Sequence, residues 1–161
     1  MDQKELKTLL DIAFESFPHV ARKFGEGRTG GFLYISDENG RMCVHIRLGT
    51  PDPSKYSKYI EFSKEKAERL RTRIDAGEWL SFQSRDPEKN QFAGAFLAPY
   101  KRIISFSGLP EMIDEAFVTC LAVKAGWIGK NMAEQMLEKS GNVDNFHKVW
   151  EVVNSLVRIH A

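Results

Sequence analysis

The segment GFLYISDENGRMCVHIRLG, residues 31–49, carries the clearest fold signal in the chain. Two runs rich in β-branched and aromatic residues flank Asp37-Glu38-Asn39-Gly40, a turn of the kind that joins antiparallel strands. Side chains alternate along the second run, so one face points to a core and the other carries a mixed, partly basic stripe. The core face has Met42, Val44, Ile46 and Leu48, and the other face has Arg41, Cys43, His45 and Arg47. The segment predicts a β-hairpin with Gly40 at positive φ.

Helical periodicity surrounds this hairpin on both sides. An amphipathic stripe runs from Leu6 to Phe24, with a bend or break expected at Pro18. A second amphipathic helix over residues 60–74 ends near Gly77. Its expected core face has Ile60, Ser63, Ala67, Leu70 and Ile74. Three more helices are predicted over residues 109–125, 131–139 and 143–160.

Further strand signals lie between the second and third helices. EWLSFQS, residues 78–84, predicts a weak third strand, and residues 91–100 and 101–108 predict a strand pair around Pro99-Tyr100. Strands joined mostly as hairpins, with helices segregated around them, indicate an α+β fold. The sequence therefore predicts an antiparallel sheet of about five strands with flanking helices, plus two extra C-terminal helices.

Composition limits the function classes that fit. The 161 residues are 42% hydrophobic and 28% charged, with a formal net charge of +1. Neither an overall positive field nor an aromatic-interleaved basic stripe is present to bind nucleic acid, and no apolar run is long enough to span a membrane. The N-terminus resembles neither a signal peptide nor a transit peptide. Two distant cysteines, Cys43 and Cys120, indicate buried thiols in a reducing compartment. We expect one cytoplasmic domain, residues 1–161, that binds neither nucleic acid nor membrane.

A cluster of acids follows the last strand in FSGLPEMIDEAF, residues 106–117. Pro110 suits the first turn of a helix, where Glu111 and Asp114 would offset the positive end of the helix dipole. The core stripe of this helix is Ile113, Ala116, Phe117, Cys120 and Leu121. Because Glu111, Asp114 and Glu115 lie off that stripe, we favour a purely structural role for them. The alternatives are an acid or base of an enzyme and, less favoured, a metal site.

The Ser107-Gly108 turn is the stronger candidate for a binding site. It follows a strand directly and opens a helix, so its backbone N–H groups could face a ligand anion. His45 is either a ligand or base in a pocket, or a strand histidine that is half-exposed or, alternatively, covered by a helix and hydrogen-bonded. The second reading is favoured. If the two hairpins are neighbours, four basic residues could form a patch for a carboxylate or phosphate, although scattered surface positions are the commoner arrangement: Arg41, Arg47, Lys101 and Arg102.

The predicted last helix has a wide apolar seam: Phe146, Val149, Trp150, Val153, Leu156 and Val157. Docking on its own domain is the favoured interpretation. A homodimer contact is the alternative, since such a face exceeds the obvious need of one small domain.

Three motifs in order resemble the GlcG/HbpS family, small profilin-like proteins that include haem-binding members. They are LYISDENGRMCVHIRLG, FSKEKAERL and KRIISFSGLPEMIDEAF, together covering about residues 5–126. The positions that carry over are Asp37, Gly40, Arg47, Lys66, Ala67, Ser107, Gly108, Asp114 and Glu115. The resemblance implies a profilin-like core over residues 1–126 and a C-terminal helical extension over 127–161. The histidines His19, His45, His147 and His160 match no family ligand position.

These observations favour a cytoplasmic small-ligand-binding domain of the GlcG/HbpS-like type. Its site would include Ser107, Gly108, Arg47, His45, Asp114 and Glu115, and its ligand would be haem, another tetrapyrrole or a small organic acid. The first alternative is an interaction module acting through its C-terminal helices or sheet edge. The second is an enzyme using Glu111, Asp114 or Glu115, although no catalytic residue is assigned because no nucleophile–base–orienter set can be assembled.

Overall fold

The computed structural model describes residues 1–156, which form a four-stranded antiparallel sheet and five α-helices. The strands are β1 (Gly30–Ser36), β2 (Met42–Gly49), β3 (Ala95–Ala98) and β4 (Arg102–Ser107). The helices are α1 (Gln3–Phe24), α2 (Tyr56–Thr72), α3 (Glu111–Lys124), α4 (Lys130–Leu137) and α5 (Val143–Leu156). The sheet order is β2-β1-β4-β3, with every neighbouring pair antiparallel. The α+β class predicted from the sequence is confirmed, with four strands rather than five.

The missing strand is the one predicted over residues 78–84. There the chain makes a 3-10 turn, Ser81–Ser84, and only Leu80 forms an isolated bridge to Phe96 of β3. The side-chain oxygen of Gln83 accepts the backbone N–H groups of Trp79 and Leu80, at 2.7 and 2.9 Å. Because a side chain competes for these backbone donors, the segment turns instead of extending the sheet.

Two unequal layers cover the sheet. On one face, α2 packs Ala67 and Leu70 against Tyr34 and Ile103. On the other face, α1, α3 and α5 enclose the main core, where Phe17, Phe106 and Phe117 meet with ring centroids 5.4 to 5.7 Å apart. Alternate side chains of β4 therefore point to opposite layers, as the pleat requires. Phe106 enters the main core, and its neighbours Ser105 and Ser107 point toward α2.

Helix α1 continues through Pro18, where a bend or break was expected. A proline removes one backbone hydrogen bond to the carbonyl four residues earlier, that of Phe14. Pro18 and Phe14 both lie on the exposed side of α1, so water can solvate that carbonyl. The opposite side of the helix is anchored by Phe17 and Val20, which are almost fully buried. Packing on one side therefore holds the helix together across the proline.

The β1–β2 hairpin forms as predicted, with Gly40 at φ +78°. The carboxylate of Asp37 accepts the backbone N–H groups of Asn39 and Arg41, at 2.9 and 3.0 Å. Val44 and Leu48 are buried on the expected face, but Met42 is 59% exposed. Because β2 is an edge strand, its end beside the turn has no covering layer.

The two C-terminal helices are present, and α5 packs on its own chain. Phe146, Val149 and Val153 are fully buried against α1 and α3. Trp150 stacks on Phe146 with ring centroids 6.1 Å apart. Val157 and His160, and the predicted end of this helix, lie outside the described residues. The apolar seam of residues 146–153 is thus used within the chain, and a homodimer stays a prediction.

Candidate functional site

A pocket of about 260 Å³ opens on the α2 side of the sheet, where β4 ends and α3 begins. Its lining combines three kinds of side chain around the Ser107-Gly108-Leu109 turn. The cations are Arg28, Lys55, Lys58 and Lys66, the aromatic residues are Tyr59, Phe62 and Phe92, and the acids are Glu111 and Asp114. The pocket thus includes the turn that the sequence singled out, and α2 supplies most of the facing wall.

The spacing of residues along α2 explains this wall. Lys55 ends the 3-10 turn that precedes α2, and Lys58, Tyr59, Phe62 and Lys66 follow at helical steps of three and four residues. Residues at such spacing share one face of a helix. Lys55 and Lys58 are exposed, whereas Tyr59 and Lys66 are buried. The face therefore runs from a solvated cationic end, past two aromatic rings, to a buried ammonium.

Lys66 and Asp114 form a buried ion pair at the inner end of the pocket. The Lys66 Nζ atom donates to the backbone oxygen of Phe106 at 2.7 Å and to Asp114 Oδ2 at 3.2 Å. Asp114 Oδ1 accepts the backbone N–H of Leu109 at 2.9 Å. Both side chains are only 2% exposed. Burial raises the pKa of Asp114 to about 6, against the opposing effect of Lys66 and the Leu109 N–H.

An ammonium group has three N–H donors, and Lys66 uses two of them on protein acceptors. Within residues 1–156, no third acceptor lies in hydrogen-bond range of its Nζ atom. Gly94 makes room for this group, since a Cβ atom at that position would lie 2.5 Å from Lys66 Nζ. The remaining donor of a buried cation is therefore left for an oxygen that residues 1–156 do not supply.

Ser107 and Gly108 form the β4 wall of the pocket. Ser107 is 3% exposed and points to the α2 side, where no described residue hydrogen-bonds its hydroxyl. Gly108 has φ +151°, and a Cβ atom there would lie 2.5 Å from both Gly30 O and Gly31 Cα. Close packing against β1 therefore requires glycine at position 108, and this residue also borders the pocket.

Glu111 lies at the pocket edge with its charge already matched. Its carboxylate accepts Arg85 Nε at 2.8 Å and the backbone N–H of Ala93 at 2.9 Å. Burial alone would raise the pKa of Glu111, but the Arg85 and Ala93 hydrogen bonds outweigh it and lower the pKa. Glu111 therefore fixes the loop that contains Phe92. Its carboxylate stays ionised.

Asp114 and Glu115 lie off the predicted core stripe of α3, yet the structure buries both of them. Asp114 is 2% exposed and Glu115 is fully buried. The reason is that α3 packs against the sheet, α1, α4 and α5, which leaves few positions around its axis in solvent. The position of one apolar stripe could not reveal this burial, because such a pattern assumes that the opposite face of the helix is exposed to solvent.

Glu115 lies outside the pocket lining, on the side of α3 toward the α4–α5 connection. Its Oε1 atom accepts hydrogen bonds from the Ser140 hydroxyl and, at 3.1 Å, from the Asn142 side-chain amide. Its Oε2 atom is buried without a hydrogen-bond partner among the described residues. Burial raises the pKa of Glu115 to about 7, against the effect of the Ser140 and Asn142 hydrogen bonds. Glu115 is therefore a buried residue whose hydrogen bonds connect α3 to the segment leading into α5.

Arg47 and His45 also lie outside the pocket lining. Arg47 is exposed, and its Nη1 atom donates to the hydroxyl of Tyr56, the first residue of α2, at 2.8 Å. His45 Nε2 lies 2.9 Å from Ser63 Oγ of α2, and its ring packs edge-on to Tyr34. Burial lowers the pKa of His45, and nearby Lys64 adds to the effect. The structure thus places His45 as a strand histidine that α2 covers and hydrogen-bonds.

The four predicted basic residues do not join in this pocket. Arg102 is buried, with its guanidinium 4.2 Å from the Trp127 ring centroid and 3.2 Å from Glu5. Arg41 and Lys101 belong to the turns at the opposite end of β1 and β4, which Arg71 of α2 ties together. Arg28, Lys55 and Lys58 supply the positive charge at the pocket instead. The regular spacing of lysines and aromatics in KYSKYIEFSK, residues 55–64, was the signal that could have found them.

The pocket lining contains one side chain of the types that usually hold haem iron. Haem iron is usually held by His, Cys, Met or Tyr, and Tyr59 is the one such residue in the lining. His45 is hydrogen-bonded under α2, His19 lies beside Arg22 on α1, and His147 lies 3.5 Å from Glu134. Across residues 1–156, no group of three or more His, Cys, Asp or Glu side chains is placed to hold a metal ion.

None of the described helices is both long enough and apolar enough to cross a membrane. Comparison of the chain with models of known protein families, with curated proteins and with solved structures gives no match. The likeness to the GlcG/HbpS family therefore rests on the sequence motifs alone, and the chemistry of the site rests on its geometry.

Proposed function

We propose that this protein binds a small organic anion in the pocket between α2 and the Ser107-Gly108 turn. The observation that carries the proposal is the buried Lys66 ammonium, whose third N–H has no acceptor among residues 1–156. A buried donor without a partner is costly, and a charged one more so. A carboxylate or phosphate oxygen of the ligand accepts this hydrogen bond, and the Ser107 hydroxyl beside it offers another donor.

The charges around the pocket support an anion over a cation. Both lining acids are already paired, Asp114 with Lys66 and Glu111 with Arg85. Arg28, Lys55 and Lys58 form no ion pair with any described residue. A concave site with surplus positive charge attracts anions and raises their local concentration.

The aromatic lining indicates that the ligand has an apolar body. Tyr59, Phe62 and Phe92 line the pocket, and the rings of Phe62 and Phe92 are 5.4 Å apart at their centroids. Ligand sites typically combine such apolar walls with a few polar groups that fix orientation. Four of the positions that carry the GlcG/HbpS resemblance, Lys66, Ser107, Gly108 and Asp114, line the pocket. This concentration supports a ligand-binding role of that family's type.

We also place this function in the cytoplasm. Cys43 and Cys120 are both free thiols, and Cys120 is fully buried. Burial raises the pKa of the Cys120 thiol well above its usual value, which keeps it unreactive. Free thiols in a chain of this size suit a reducing compartment.

Calorimetric titration with benzoate, a small aromatic carboxylate, tests the proposal. We expect saturable binding that weakens as salt is added, because exposed cations contribute to it. Lys58→Gln should weaken binding several-fold. The matched control is Lys64→Gln, on the same helix but paired with Glu68 at 3.7 Å and outside the pocket lining.

Equal losses of benzoate affinity in Lys58→Gln and Lys64→Gln would show that benzoate responds only to the overall positive charge of α2. Absence of binding by benzoate and by other small carboxylates and phosphates would contradict the proposed function itself.

A further inference from the structure

The pocket has two cationic ends rather than one. Lys66 and the Ser107 hydroxyl form a buried inner end, whereas Lys55 and Lys58 are exposed at the entrance. Lys58 and Lys66 are eight residues apart on α2, which puts their Cα atoms about 12 Å apart along the helix axis. Arg28, from the loop between α1 and β1, is exposed and also lines the pocket, and its charge acts on Asp114 at the inner end.

The ring side chains lie between these ends. Tyr59 and Phe62 occupy the intervening turn of α2, and Phe92 packs on Phe62 with an interplanar angle of 56°. The ammonium of Lys58 lies 5.7 Å from the Phe62 ring centroid, so the entrance charge borders the aromatic part of the wall directly. The order along α2 is therefore cation, ring, ring, cation.

The unpaired positive charge of the pocket lining exceeds what one anionic group would neutralise. Once Asp114 is matched by Lys66 and Glu111 by Arg85, Arg28, Lys55 and Lys58 remain without an ion-pair partner among the described residues. A ligand with one carboxylate at Lys66 would leave Lys55 and Lys58, three residues apart in the chain, without an anionic partner at the exposed end. Like charges in proximity repel, and a second anionic group at that end would relieve the repulsion.

We infer that the ligand carries two anionic groups, carboxylate or phosphate, at opposite ends of a flat apolar body. One group accepts the free N–H of Lys66 and the Ser107 hydroxyl, and the other lies beside Lys55 and Lys58. The flat body packs against Tyr59, Phe62 and Phe92. This inference rests on the proposed function and names the class of anion that the pocket selects.

Calorimetry at constant ionic strength tests the inference with three probes. Terephthalate has a carboxylate at each end of a benzene ring, benzoate has only one, and succinate has two without a ring. We expect terephthalate to bind about tenfold more tightly than either of the other two. The double variant Lys55→Gln/Lys58→Gln should remove most of the advantage of terephthalate over benzoate, and Lys64→Gln should retain it.

The outcomes separate the inference from the proposed function. If benzoate and terephthalate bind equally well, the second anionic group is wrong and the proposed function stands. If succinate binds as well as terephthalate, the flat apolar body is wrong. If the advantage of terephthalate persists in Lys55→Gln/Lys58→Gln, the second group does not lie at the entrance. If none of the three probes binds, the proposed function fails and the inference fails with it.

Discussion

Lys66 Nζ and Asp114 Oδ2, 48 residues apart in the sequence, lie 3.2 Å apart with both side chains buried. The pair joins α2 on one side of the sheet to α3 on the other, at the open end of β4. It fixes the inner end of the pocket, because Phe106 O and the Leu109 N–H complete the same hydrogen-bond network. The connection between the two helix layers and the binding site are therefore built from the same atoms.

Replacing one partner of this ion pair is expected to lower the free energy of unfolding far more than replacing both partners. Lys66→Met leaves Asp114 buried without its cation, which should lower the free energy of unfolding by about 3–5 kcal/mol. The double variant Lys66→Met/Asp114→Leu should recover much of that loss. Urea denaturation of the wild type, both single variants and the double variant measures the coupling.

Additive losses in that cycle would show that the two side chains do not interact. A carboxylate at an exposed helix start would contribute only about 0.3–1 kcal/mol, but Asp114 is buried. Asn at position 114 leaves the buried Lys66 charge unmatched, so its cost should exceed that of an ordinary surface substitution.

Ser107→Ala tests whether the β4 wall of the pocket contributes to benzoate binding. Removing the hydroxyl should weaken benzoate binding a few-fold through loss of one donor, with little change in melting temperature. Ser105→Ala is the matched control, since Ser105 faces the same layer, is buried and has a hydroxyl without a partner among the described residues. Equal effects of the two substitutions on affinity would remove Ser107 from the site.

Gly108→Val cannot test the β4 wall, because it should prevent folding. Its Cβ atom would overlap the backbone of Gly30 and Gly31, and φ +151° disfavours a branched side chain. We expect the variant to lose cooperative unfolding in circular dichroism. A folded Gly108→Val protein would show that β1 and β4 can separate there at little cost.

Glu115 should make stability depend on pH in a defined direction. Its pKa is about 7 in the folded protein against an ordinary value of 4.5, so the folded state binds this proton more tightly than the unfolded chain. Stability linked to Glu115 is therefore present below about pH 4.5 and falls as pH rises through about 7.

Glu115→Gln removes that titration. Relative to the wild type, the variant should gain on the order of 1–3 kcal/mol in unfolding free energy between about pH 5 and about pH 8. Denaturant titrations at both pH values measure the difference. A gap between variant and wild type that does not change with pH would mean that Glu115 stays ionised in its buried position.

Gly40→Val tests the hairpin turn. The left-handed conformation at φ +78° disfavours a β-branched residue, so the free energy of unfolding should fall by about 1 kcal/mol or more. The Cβ atom would also approach the Arg71 side chain at 2.9 Å, but that flexible side chain can shift. Glu38→Val, in the same turn, is the control for added hydrophobicity. An unchanged melting temperature in Gly40→Val would contradict the turn geometry.

The sequence alone was sufficient to predict most local elements, but not the turn over residues 81–84 or the unbroken course of α1 through Pro18. Alternation and turn chemistry over residues 31–49 predicted the β1–β2 hairpin, and the pattern around Pro99-Tyr100 predicted β3 and β4. The Ser107-Gly108 turn could also be singled out, because a strand ending directly before a helix start is visible as a pattern. These features depend on residues close in the chain, where backbone preferences and side-chain periodicity act directly.

Only the tertiary structure decided which polar side chains are buried. Lys66 and Asp114 look like ordinary surface residues of two amphipathic helices, and their pairing depends on α2 and α3 meeting across the end of β4. Glu115 is buried because α4 and α5 fold back over α3, a contact that no local pattern encodes. Side-chain periodicity reports one buried face of a helix, whereas burial on the remaining faces is set by elements distant in sequence.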